Sequence, residues 1–125
     1  MQLVRWLIDG MNVIGSRPTG WWRDRRGAMR ELVAALERFA AATGEEVTVV
    51  LDGRPFELEG DRVRVVFASR RGPDAADDDI AALAERDADP AGLRVVTSDA
   101  GLSRRVQAAG AEVVGAGAFR SRLDG

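Results

Sequence analysis

The chain contains no cysteine and no histidine, and its 18 basic residues are all arginine, so lysine is missing as well. Without cysteine there are no disulfides and no thiolate chemistry. Without histidine, imidazole zinc sites, Ser-His triads and a histidine general base drop out together. The lack of lysine removes Schiff-base chemistry, the Walker-type phosphate loop and a lysine-assisted phosphorelay. Carboxylates and metal-bound water remain as the available catalytic chemistry. A long apolar run is missing too. The N-terminal one is broken by Arg5 and Asp9 and has no small-residue cleavage site, so it reads as neither a signal peptide nor a membrane span, and a cytoplasmic location is expected.

The 125 residues, 46% hydrophobic and 30% charged, suit one ordinary globular domain spanning 1–125. A net charge of −2 argues against a strongly non-specific nucleic-acid binder. The charges are unevenly spread, however. Arginines cluster at 17–30 (Arg17, Arg23, Arg25, Arg26, Arg30), at Arg70-Arg71, at Arg104-Arg105 and at Arg120 and Arg122, while acids concentrate at 74–79. An acidic centre with basic flanks fits this pattern, and a solvated charged surface accounts for most of the arginines equally well.

Three apolar runs end in aspartate. Val4 to Ile8 reads as a buried strand leading to Asp9-Gly10, VTVVL (47–51) leads to Asp52-Gly53, and LRVVTS (93–98) leads to Asp99. Open α/β sheets bind ligands in the crevice outside the carboxyl ends of their strands, and Gly10 would let the backbone turn sharply there. Parallel neighbouring strands would bring the three carboxylates together, where they repel unless a cation neutralises them. Oxygen ligands point to a hard ion, Mg²⁺ or Mn²⁺. An aspartate after a strand also serves as a turn residue or a helix N-cap.

GSRPTGWWRDRRG (15–27) reads as a loop. Adjacent side chains in an extended stretch point opposite ways, so one of Trp21 and Trp22 can pack on the core while the other faces the crevice. An exposed Trp between arginines would stack on an unpaired base. The other reading has both rings capping the core. Met29, Leu32, Val33, Leu36, Phe39 and Ala40 mark one face of a core helix over about 27–43, with Gly44 as its stop. VRVVF (63–67) is a third strand whose direction is open, because its link from 47–51 is short for a parallel crossover. Pro73 and Asp74 suit a helix start, with Ala76, Ile80, Leu83 and Ala84 as the buried face. Adjacent charges at Asp77-Asp78-Asp79 cost stability, which is easier to accept if one or two of them hold a cation. Ser98-Asp99 would cap a helix buried through Leu102, Val106 and Ala109, with Gly110 as C-cap and Glu112 to Val114 as a fifth strand. The Gly-rich tail GAGAFRSRLDG is expected to be loosely held. The alternation predicts an α/β three-layer sandwich with a mostly parallel five-stranded central sheet.

Read together, IDGMN (8–12), VLDG (50–53), SRRG followed by ADD-x-I (69–80), VVTSD (95–99) and GAEVVGAGAF (110–119) resemble, in order and spacing, NYN domains of the PIN-like nuclease superfamily, particularly the YacP-like branch. No single motif is specific, but the five cover nearly the whole chain. The resemblance implies a metal-dependent ribonuclease with Asp9, Asp77 and Asp99 as metal-ligating carboxylates and Asp78 and Asp52 as further acidic members. It implies that Asn12 orients Asp9 or contacts the scissile phosphate. Many NYN domains carry another aspartate two residues after the one at Asp99, where this chain has Gly101. The YacP-like branch commonly lacks it too, which leaves the number of metals open. The chain also looks shorter at its C-terminus than many relatives.

The expectation is therefore an endoribonuclease holding one or two Mg²⁺ or Mn²⁺ ions at Asp9, Asp77 and Asp99, with Asp52 as a fourth candidate ligand and Asn12 and Asp78 at the catalytic site. RNA would be held by Arg17, Trp22, Arg25, Arg70, Arg71 and Arg104, with the ribosome as a further candidate partner and no membrane. The alternative is a non-catalytic RNA- or ribosome-binding module on the same fold. A receiver-like regulator with Asp52 as phosphoacceptor is opposed by the missing lysine. An aspartyl phosphatase is opposed by Met11, which stands where its second aspartate belongs.

Overall fold

Five short runs rich in valine, leucine and isoleucine form one sheet: β1 (Arg5–Asp9), β2 (Glu46–Leu51), β3 (Val63–Phe67), β4 (Leu93–Val96) and β5 (Glu112–Val114). The structure is a computed structural model that describes residues 3–72 and 74–125. Every strand pairing is parallel, and the order is β3-β2-β1-β4-β5, so β1 lies at the centre. The helices are α1 (Gly10–Ile14), α2 (Arg25–Thr43), α3 (Ala75–Glu85), α4 (Ala100–Ala108) and α5 (Ala116–Asp124).

Alternation along the strands splits the core into two layers. Trp6, Ile8, Val49 and Leu51 face α1, α2 and α5, meeting Val13, Ile14, Leu32, Leu36 and Phe119. Leu7, Val50 and Val95 face α3 and α4, meeting Ile80, Ala81, Leu102 and Val106. The expected three-layer α/β sandwich is thus what forms, with a sheet that is wholly rather than mostly parallel. No helix among the described residues is long and apolar enough to cross a membrane.

The direction of β3 is settled by its register, Val47 opposite Val63 through Leu51 opposite Phe67. No helix fills the connection at 52–62. Phe56 and Leu58 cover the core there instead, and the guanidinium groups of Arg26 and Arg30 lie over the Phe56 ring at 4.9 and 5.0 Å. The Glu37 carboxylate accepts from the backbone N–H groups of Arg62 and Val63, the latter at 2.8 Å, which fixes where β3 begins.

Several local expectations are corrected. The loop expected at 15–27 follows an unforeseen turn of helix, α1, and gives way early to α2, whose N-cap Asp24 accepts from the Gly27 N–H at 3.0 Å. Trp21 and Trp22 sit in a 3₁₀ turn rather than an extended stretch, and only half of the expected division forms: Trp21 packs on the core, whereas Trp22 is 55% exposed without lining the cleft. β1 includes Asp9, and β4 stops at Val96 before Thr97 and Ser98. In α3, Ala81 rather than Leu83 completes the buried face. Pro73 lies outside the described residues, and Asp74 takes the N-cap position with a left-handed φ of 64°.

The tail is the largest correction. Residues 116–124 form α5, and Phe119 is fully buried, with its ring centroid 5.2 Å from Trp6 and 5.3 Å from Phe39. Glycines at 115 and 117 mask a helical spacing of Ala116, Phe119 and Leu123 that faces the core. Deleting that ring should leave a cavity between α2, β1 and α5. Phe119→Ala is expected to lower stability by about 3–5 kcal/mol in urea unfolding. An unchanged midpoint would mean that the tail is the loosely held segment its composition suggests.

Candidate metal centre

The parallel register sets the end of each strand. Asp9 is level with Val50, so Asp52 projects two residues beyond it on one side. Ile8 is level with Val96, which brings Thr97 alongside Asp9 on the other. Gly10 follows at once, and its value here is close packing rather than a sharp turn. Its φ is not positive, but a Cβ at this position would stand 2.9 Å from the Val50 carbonyl oxygen and 2.5 Å from Leu51 Cδ2. The lack of a side chain lets α1 start directly against β2 and keeps Asp9 at the sheet's carboxyl edge.

An open cleft of about 240 Å³ at this edge is lined by Asp9, Met11, Asn12, Asp52, Asp74, Ala76, Asp77 and Asp99. Sequence reading foresaw Asp9, Asp52, Asp77 and Asp99 here. Asp74 was read only as a helix-start residue, and its left-handed backbone brings it to the rim.

Asp9 is the buried member, 5% exposed. The Thr97 hydroxyl accepts from the Asp99 N–H at 3.1 Å, which turns its proton toward Asp9 Oδ2 at 2.9 Å. The Asn12 backbone N–H lies near enough to favour the charged carboxylate, although Asp9 makes no side-chain cap bond to α1. Burial nevertheless pushes the Asp9 pKa up to about 6, and the charges of Asp77 and Asp52 add to the rise against the Thr97 hydrogen bond and the Asn12 N–H. Asp77 is also shifted upward, first by partial burial and then by Asp99, Asp74, Asp52 and Asp78. Acidic groups from β1, α3 and the ends of β2 and β4 therefore share one electrostatic environment.

The three adjacent aspartates of α3 diverge. Only Asp77 lines the cleft. Asp78, expected among the catalytic acids, is not part of the lining but lies beside it. It is ion-paired to Arg70 and, at 2.9 Å, to Arg105, and both guanidinium groups hold its pKa below the usual carboxylate range. Asp79 accepts from Ser69, at 2.6 Å from the backbone N–H and 2.8 Å from the hydroxyl. Asp99 caps α4, accepting from the Leu102 N–H at 2.7 Å through Oδ1. The Asn12 side chain does not orient Asp9: its Oδ1 accepts from the Ser98 N–H at 2.7 Å and ties α1 to the end of β4.

The sequence reading places Thr97 at a strand end and Ser98 at a strand end or helix cap, and gives neither a role at the cleft. The Ser98 hydroxyl accepts from the Ala116 N–H at 2.9 Å, linking the cleft wall to α5. Their signal was two hydroxyl residues directly after an apolar run.

Hard oxygen donors with no competing nitrogen or sulfur suit Mg²⁺ or Mn²⁺. Among the described residues, however, no three carboxylates stand at direct-ligand spacing. The donor set fits a cation held by one or two carboxylates, with water and phosphate oxygens completing its shell, as is usual for Mg²⁺.

The arginines and Trp22 lie outside the cleft lining. Arg17 pairs with Asp124, Arg70 with Asp78, and Arg25 lies over the Trp21 ring at 5.6 Å. Arg71 and Arg104 are exposed, with no ion pair among the described residues. Trp22 meets Trp21 edge-on, with centroids 6.0 Å apart.

Comparison with known proteins fits this geometry. A sequence model described as the YacP-like NYN domain matches residues 6–125. Two crystal structures of Rae1 (YacP) from Bacillus subtilis superpose on the chain. A Trp-to-Leu mutant gives a TM-score of 0.80 at 25% identity, over 98% of this chain and 76% of that one. The other gives 0.78 at 24% identity, over 98% and 74%, and on its own shows the fold. No curated protein sequence matches.

The raised pKa of Asp9 has a sign that can be checked. Because the folded value of about 6 exceeds the ordinary 3.8, the protonated form favours folding. That contribution is complete below 3.8 and is lost as pH rises through about 6. In EDTA, Asp9→Asn should therefore be more stable than wild type above pH 6, by up to about 3 kcal/mol, with the gap closing toward pH 4. Denaturant unfolding at pH 4, 5, 6 and 7.5 checks this, and a gap that does not vary with pH would contradict it.

Proposed function

Because the chain belongs to the YacP-like NYN domain family, a branch with the PIN-like nuclease fold, we propose that it is a metal-dependent endoribonuclease. Asp9, Asp77 and Asp99 would hold Mg²⁺ or Mn²⁺, with Asp52 as a further ligand. The carrying observation is the cleft itself, with a nearly dry aspartate at the centre of the sheet and acidic neighbours that raise its pKa. An arrangement that penalises its own charge is reasonable where a divalent cation offsets it. NYN nucleases generally use such metals.

When bound, the cation would supply an acidified water and neutralise charge at the scissile phosphate. The chain's own residues do the rest. Thr97 holds one oxygen of Asp9. Asn12 fixes the end of β4 through Ser98 and so holds Asp99 relative to Asp9. Arg17, Arg25, Arg70, Arg71 and Arg104 would engage backbone phosphates, largely without regard to sequence. Trp22, exposed beside arginines, would stack on an unpaired base, which favours single-stranded RNA in the cytoplasm.

One observation favours a second reading, a non-catalytic RNA- or ribosome-binding module: no three described carboxylates are gathered at ligand spacing. Cleavage assays separate the two. With Mn²⁺, the protein should cut single-stranded RNA, EDTA should abolish cutting, and Asp77→Asn should lower kcat by about two orders of magnitude or more, the scale for removing a group that stabilises transition-state charge. Trp22→Ala should raise KM roughly tenfold with kcat little changed, from the loss of one stacked base. Activity that persists in EDTA or in Asp77→Asn would end the nuclease proposal. Metal-indifferent RNA binding without turnover would select the module.

A further inference from the structure

Three adjacent aspartates on α3 have three different partners, and the middle one bears on how substrate is held. Asp79 pins Ser69 through both its N–H and its hydroxyl. This fixes the loop on which Arg70 is the next residue. Asp78, one helical step from the cleft-lining Asp77, receives Arg70 on Oδ2 and Arg105 of α4 on Oδ1, the latter at 2.9 Å. Two guanidinium groups from separate elements are thus aimed by one carboxylate. Arg105 is also near enough to feel the charge of Asp77. All three side chains are about half exposed, so the network adds little to stability and is poorly explained as a structural staple.

We infer that Asp78 is a positioning residue that holds Arg70 and Arg105 as a two-guanidinium clamp for an RNA phosphodiester beside the acidic cleft. This rests on the nuclease reading above and deepens it. A guanidinium has five N–H donors in a fixed fork, and among the described residues each of these arginines donates only to Asp78, so both retain donors for phosphate oxygens. Two arginines on one carboxylate leave a net positive charge at the rim of a cleft lined by five aspartates. RNA approaching those acids meets a cation first, which offsets the repulsion. A mobile arginine would serve affinity alone. An aimed pair also fixes where the phosphate sits relative to Asp77.

The test has a binding arm and a turnover arm. Binding of a short single-stranded RNA is measured in EDTA across a salt series, where no metal-dependent cutting occurs. Arg70→Ala and Arg105→Ala should each reduce the slope of log K against log salt by about 0.7, the loss of one phosphate contact on single strands. Asp78→Asn keeps both cations and should keep the slope. With Mn²⁺, Asp78→Asn should lower kcat on the order of 10- to 100-fold without raising KM, the effect of a misplaced phosphate, while its melting temperature hardly moves. A wild-type slope in Arg105→Ala, or wild-type kcat in Asp78→Asn, would overturn the clamp. If wild type fails to cut RNA while the two arginine variants still lose slope, the nuclease reading fails and the phosphate clamp stands.

Discussion

Everything at the cleft depends on one carboxylate being kept where water hardly reaches it. Asp9 is the last residue of the central strand, flanked by β2 and β4, so neither its depth nor its neighbours can vary without a change in sheet register. A one-residue slip would turn Asp9 to the opposite face and place Ile8 or Gly10 at the edge. Burial of an ionised group is unfavourable, and here it is only partly offset by the Thr97 hydroxyl and the Asn12 N–H, as the raised pKa records. The surroundings hold that carboxylate in place rather than relieve its charge. Gly10 admits α1 beneath it, Asn12 ties α1 to Ser98, and Ser98 in turn receives the N-terminus of α5. The C-terminal helix therefore supports the cleft from behind, through the Phe119 ring packed on Trp6 of the same central strand.

How much of this could be read without coordinates varied with the range of the interactions involved. Strand ends were legible, because an apolar β-branched run that stops at aspartate carries both its period and its boundary in a few residues, as at Asp9 and Asp52. The choice among Asp77, Asp78 and Asp79 was not. Successive helix residues differ by about 100° in direction, and which of the three faces the cleft depends on how α3 is rotated against the sheet by Ala76, Ile80 and Ala84. Family likeness supplied Asp77, whereas Asp78 was misplaced because its partners, Arg70 and Arg105, come from other elements. The parallel direction of β3 was hidden for a similar reason. It relies on Phe56, Leu58 and Glu37 doing the covering and pinning that a crossover helix would normally do. Glycine content misled at α5, where composition suggested mobility and one buried phenylalanine outweighed it.

The net charge of −2 conceals a spatial division. Acids line the cleft at the centre of the sheet edge, where no arginine among the described residues contributes, and several arginines elsewhere are held by other acids: Arg17 by Asp124, and Arg70 and Arg105 by Asp78. Such pairing leaves the guanidinium forks extended toward solvent, where a polyanion first arrives.

The missing residue types sharpen this division. A histidine or lysine near the cleft could change its charge with pH or with burial and so blur the line between acidic interior and basic rim. Arginine does neither within any physiological range. Since the chain has no histidine and no cysteine, carboxylates displaced upward take the place of those groups, and at this edge they are Asp9, at about 6, and Asp77, raised by partial burial and its acidic neighbours. Both line the cleft. A proton and the proposed cation would meet at the same oxygens of Asp9, so the pH response near 6 and the proposed metal site fall on one residue.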